Sequence, residues 1–180
     1  SFLRTGYILK ELNNTFITLV PKSLNPEKIS EYRPISLCNV AYKIAAKVLA
    51  NRLKLVIDEL ITPHQNAFIK GRLITDNIIL THELLHTIKR KKKGRVRFAA
   101  LKLDLSKAYD RLNWNFLEAT LQKLGFSQHW IQLVMQCVTT VTYGVLVNGS
   151  PTEKFKPNCG IRQGDPLSPY LFIICTNILS

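Results

Sequence analysis

The chain has 180 residues with 25 Lys and Arg against 12 Asp and Glu, giving a net charge of +13 and a pI of about 9.8. Its 46% hydrophobic content excludes a disordered chain, because that much apolar surface supports a packed core, and the charge suits a polyanionic partner. No apolar run approaches the ~20 residues that span a bilayer, and the dispersed Cys38, Cys137, Cys159 and Cys175 lack metal-binding spacing and read as reduced thiols of an intracellular protein.

In chain order, the β-branched and aromatic run 15–20, closed by Pro21-Lys22, predicts a strand entering a loop. Residues 40–61 predict one amphipathic helix, capped by Asn39 and stopped by Pro63. Its inward face holds Ala41, Ile44, Ala45, Val48, Leu49, Leu53, Val56, Ile57 and Leu60, and its basic face Lys43, Lys47, Arg52 and Lys54. A second helix starts near Asp76 and runs into a tract in which seven of the nine residues 89–97 are basic. That tract, with Lys89, Arg90, Lys91, Lys92, Lys93 and Arg95, fits a solvated loop, a nuclear localisation patch or a phosphate-binding segment.

Residues 98–105 are almost continuously apolar, as in a buried central strand, and place Asp104 at the strand's C-terminal end. Helices follow over 114–124, between Asn113 and Gly125, and over 127–138. A hairpin over 141–156 turns at Asn148-Gly149, and Asp165-Pro-Leu-Ser168-Pro169 opens a last helix. The order is mixed α/β, or α+β, without a regular βαβ repeat.

Two blocks carry the chemistry. An Asp at a strand end is as often a cap or turn former as a ligand, so Asp104 gains meaning only from what surrounds it. The block Leu101-Lys-Leu-Asp104-Leu-Ser-Lys-Ala-Tyr109-Asp110 resembles the first palm motif of reverse transcriptases, an Asp followed five residues later by Tyr or Phe. Asn158-Cys-Gly160-Ile-Arg162-Gln163-Gly164-Asp-Pro-Leu-Ser-Pro169 resembles that family's Gln-Gly motif. Glu31-Tyr-Arg33-Pro34-Ile-Ser-Leu37, with Pro21-Lys22, and Pro63-His-Gln65-Asn-Ala-Phe68-Ile-Lys70-Gly-Arg72 resemble its two fingers blocks. The wording of 33–39 and 163–170 is similar to plant retrotransposon enzymes without long terminal repeats.

This resemblance implies a right-hand polymerase fold, with fingers over 1–97 and part of the palm over 98–180. The implied activity is that of an RNA-directed DNA polymerase, with an RNA template, a DNA primer and deoxynucleoside triphosphates as substrates. The implied cofactor is Mg2+, or Mn2+, in the two-ion geometry of about 3.5–4 Å that stabilises attacking and leaving oxygens. Asp104 and the backbone carbonyl of Leu105 are the expected metal ligands, and Tyr109 the ring that excludes a 2′-hydroxyl. Gln163 is expected at the sugar and minor groove of the nascent pair. Arg33, Lys22, Lys70 and Arg72 are expected at the triphosphate, and Arg162 with the basic tract on nucleic acid. Asp110 is expected to do structural work only. An endonuclease domain on the same polypeptide, a nuclear location and no membrane partner complete the expectation.

The family's aromatic-Ala-Asp-Asp motif and thumb are absent from these residues. The sequence therefore reads as a piece of a longer enzyme, inactive as an isolated chain. A degenerate or domesticated module that only binds nucleic acid is the alternative.

Overall fold

In the computed structural model, which describes residues 2–91 and 98–179, the β-branched run forms β1 (Asn14–Pro21). It folds back through a short 3-10 turn (Ile29–Glu31) onto β2 (Tyr32–Cys38), antiparallel, with Val20 opposite Arg33 and Thr15 opposite Cys38. The sequence analysis places no strand at β2, and Pro34 lacks the N–H that an inner ladder needs. The sheet order β2-β1-β3-β4 puts β2 at an edge, where a proline is tolerated. On its other side β1 pairs in parallel with β3 (Thr142–Val147), which turns into β4 (Ser150–Pro151). Asn148 and Gly149 take φ of 50° and 83° at this turn, the left-handed pair that a two-residue hairpin requires.

The helices are α1 (Phe2–Thr5), α2 (Val40–Leu53), α3 (Ile57–Leu60), α4 (Ile74–Arg90), α5 (Trp114–Lys123), α6 (Gln128–Thr139) and α7 (Ser168–Leu179). Asn39 and Asn113 cap α2 and α5 as expected, and Ser127 caps α6, each side chain accepting from a first-turn N–H. The single helix expected over 40–61 is instead two, interrupted by a turn at 54–56. Its buried face is also rotated: Tyr42, Ala46, Leu49, Ala50, Leu53 and Ile57 are inside, whereas Ile44 is 63% exposed. Ala46 and Ala50 are fully buried on this face.

One hydrophobic core joins these α2 and α3 residues to Leu117 and Leu121 of α5, Ile131, Val134 and Cys137 of α6, and Leu171, Ile174 and Cys175 of α7. A fully buried Leu or Ile of this kind contributes about 1.5–3 kcal/mol. No residue of α4 is buried.

The largest departure is at 98–105, which forms no strand. Leu101 and Leu103 are 83% and 79% exposed, and Asp104 lies at the surface. A strand exists only through a hydrogen-bonded neighbour. Among the described residues no strand of the sheet pairs with this segment.

Candidate functional site

The two blocks singled out in the sequence are laced together through their backbones. The amide of Gly160 donates to the Leu112 carbonyl at 2.7 Å and that of Ile161 to the Tyr109 carbonyl at 2.9 Å. The Trp114 indole donates to the Gly160 carbonyl at 2.7 Å, and the Cys159 thiol to the Asp110 carbonyl at 3.3 Å. Only glycine fits at 160, where φ is +90° and a Cβ would stand 2.8 Å from the Asp110 carbonyl oxygen.

Beyond this seam the chain passes into Gln163, whose side chain is exposed between the buried Arg162 and Asp165. Its carbonyl accepts from the Ser36 amide of β2 at 2.8 Å, so the Gln-Gly turn is fastened to the strand that carries Arg33 and Pro34. Gln163, Asp110, Tyr143, Ser36, Pro34 and Ile17 line a cavity of about 320 Å3 between sheet and turn.

Asp104 and Leu105 do not share that cavity. They border another of about 530 Å3, with Phe116, Phe172 and Cys175. Tyr109 is half-buried with its ring stacked on Phe172 at 5.0 Å, and burial raises its hydroxyl above the ordinary value. The segment 106–111 is a turn in which the Lys107 carbonyl accepts from the amides of Asp110 and Arg111, and Asp110 also borders the Gln163 cavity. Among the described residues, no group of three or more His, Cys, Asp or Glu side chains could hold a metal. Asp104 with the Leu105 carbonyl offers only part of a ligand set, and these residues alone do not fit a two-ion centre.

The expected phosphate contacts divide. Lys22 sits at the β1–β2 end, where its ammonium donates to the Ser30 carbonyl at 2.7 Å. Arg33, Lys70, Lys89, Arg90 and Lys91 are exposed, and the Lys91 ammonium lies 4.2 Å from the Phe98 ring centre. Lys92, Lys93 and Arg95 fall outside the described residues. For Arg72 the expectation is corrected: its guanidinium donates to the carbonyls of Thr62 and Gln65 at 2.6 and 2.8 Å and pairs with Asp58. That fork ties down the loop ahead of α4. Arg162 is corrected as well, being 4% exposed with its donors turned inward, so it cannot reach nucleic acid.

What the sequence reading missed is the buried cluster around Arg162. The guanidinium stacks over the Tyr42 ring at 3.9 Å and pairs with Asp165 at 3.2 Å. It donates to Asn13 Oδ1 at 2.6 Å, Thr15 Oγ1 at 3.2 Å and the Cys137 carbonyl at 2.6 Å. Asp165 also accepts from the Tyr42 hydroxyl and from the Leu167 amide, the latter at 2.9 Å. Burial first, and then the charge of Asp165, hold the Tyr42 hydroxyl well above its ordinary value, so it stays a donor. The Arg-x-x-Asp spacing is a visible signal for the pair; the other partners, apart from Leu167 and Cys137, are more than a hundred residues away in sequence.

Residues 20–180 match the family described as Reverse transcriptase (RNA-dependent DNA polymerase). The chain is 36% identical over 169 residues to the Transposon TX1 uncharacterized 149 kDa protein of Xenopus laevis, covering 94% of this chain and 13% of that protein. It is 31% identical over 157 residues to the Retrovirus-related Pol polyprotein from type-1 retrotransposable element R2 of Popillia japonica, covering 86% and 21%. With the Probable RNA-directed DNA polymerase from transposon BS of Drosophila melanogaster it shares 26% identity over 179 residues, covering 98% and 19%. The chain thus spans about a fifth or less of the length of these relatives. With the family match over residues 20–180 and the two family blocks joined along one backbone seam, the chain belongs to the reverse transcriptase family.

Proposed function

We propose that the chain supplies the fingers, residues 1–97, and the first part of the palm, residues 98–180, of the RNA-directed DNA polymerase of a plant non-LTR retrotransposon. It would work on an RNA template and a DNA primer with deoxynucleoside triphosphates, in the nucleus, on a polypeptide that also carries an endonuclease. The observation that carries this reading is the seam joining 109–114 to 159–161, which ends in an exposed Gln163 fastened to β2. It leaves a polar amide at the mouth of a cavity between sheet and turn, with hydrogen-bonding capacity in both senses for a sugar and a base edge.

In this reading Gln163 orients the nucleotide and Tyr109 closes the space beside its sugar. Lys22, Arg33 and Lys70 offset triphosphate charge, and Lys89, Arg90 and Lys91 meet the nucleic-acid backbone. Asp104 contributes one carboxylate toward magnesium or manganese, which when bound would offset charge on the reacting phosphate.

The experiment is primer extension by the longest polypeptide of the source element that contains this segment. Asp104→Asn keeps the side-chain shape and removes the charge, and is expected to abolish extension. Full activity in that variant removes Asp104 from the mechanism. A second reading, a module that binds nucleic acid without catalysis, is favoured by the separation of Asp104 from the Gln163 cavity. Intact nucleic-acid binding with no extension by the unaltered polypeptide would select it.

A further inference from the structure

Nothing exposed accounts for Arg162. A buried ion pair adds little stability over an apolar pair of the same volume, since desolvation of both charges offsets their attraction. Yet here a guanidinium has its donors directed at Asp165, Asn13, Thr15 and the Cys137 carbonyl, over the face of Tyr42. Asn13 is itself fixed, donating to Thr140 Oγ1 at 2.8 Å and to the Cys137 carbonyl at 3.2 Å. The cluster joins the start of β1, α2, the end of α6 and the approach to α7, and the exposed Gln163 is the next residue along the chain.

We propose that Arg162 is a positioning residue: its buried guanidinium fixes the turn that presents Gln163 to the nucleotide. This rests on the reading of Gln163 given above. The Gln163 carbonyl is held by Ser36, and Gly164, with φ of +104°, lets the chain reverse into Asp165. Arg162 and Asp165 thus clamp both flanks of a two-residue projection, and its direction is set from beneath. Lysine cannot substitute, because a single ammonium lacks the planar fork that meets separate acceptors at fixed angles.

The test has a spectroscopic and a kinetic arm. The Trp130 indole N–H is buried without a hydrogen-bond partner among the described residues, so Trp130→Phe breaks no hydrogen bond among them and leaves Trp114, bonded to Gly160, as sole reporter of the seam. In that background Arg162→Lys and the milder Tyr42→Phe are expected to shift Trp114 emission well below each variant's melting midpoint. Leu53→Ala, a core truncation outside the cluster, should lower the midpoint without that shift. In primer extension by the longer polypeptide, Arg162→Lys and Tyr42→Phe should raise KM for the deoxynucleotide, by about tenfold to a hundredfold for the former. Leu53→Ala should lower only kcat, through the active fraction. Unchanged Trp114 emission and unchanged KM in both cluster variants overturn the proposal. If Gln163→Ala leaves KM unaltered while the Trp114 shift persists, the clamp stands and the nucleotide role of Gln163 is what fails.

Discussion

Gly160 shows how far one missing side chain decides the site. Its left-handed φ and the 2.8 Å approach to the Asp110 carbonyl leave no room for a methyl group, and its amide and carbonyl both belong to the seam. Gly160→Ala is therefore expected to destabilise the chain by about 1–3 kcal/mol, read by denaturant titration, and to release the Trp114 indole. Gly149→Ala has a similar φ but open space around it, so it should carry the conformational cost without loosening the seam. Equal effects on Trp114 in both variants would show that backbone strain alone, and not the close approach, matters at 160.

At the scale of elements, the instructive segment is 98–105. Its composition matches a buried strand, and its apolar side chains nonetheless face water in this chain. Leu103→Lys is thus expected to change stability by no more than about 0.5 kcal/mol, whereas a buried position would lose several kcal/mol. A melt that collapses in this variant would restore the central strand. The helices behave differently because their hydrogen bonds are internal: α5 and α6 form where their caps and periodicity place them, whichever partners they meet.

For the molecule as a whole, the core contains thiols that resist ionisation. Burial first, and for Cys137 also the charge of Asp165, push Cys137 and Cys175 from an ordinary 9.0 to about 12. Because the folded state holds these protons more tightly than the unfolded chain, their contribution is fully present below pH 9. It is lost as pH rises toward 12, at about 1.4 kcal/mol per pH unit for each group. The melting midpoint should fall steadily over that window, and Cys137→Ala should reduce the slope by about one group's share. A slope unaltered in that variant would assign the alkaline loss to other groups.

The sequence by itself determined the helices at 114–123 and 128–139, the turn at Asn148-Gly149 and the two blocks around Tyr109 and Gln163. Caps, left-handed turns and motif wording are local, written within a few adjacent residues. Tertiary structure alone decided that β2 is a strand, since Pro34 is acceptable only at an edge, and that α2 turns Ala46 rather than Ile44 inward. It also decided that Arg72 and Arg162 serve the fold, because a guanidinium in a sequence gives no sign of which carbonyls will surround it. The strand expected at 98–105 was legible as composition but not as pairing. A helix carries its hydrogen-bond partners within itself, and a strand must find them elsewhere.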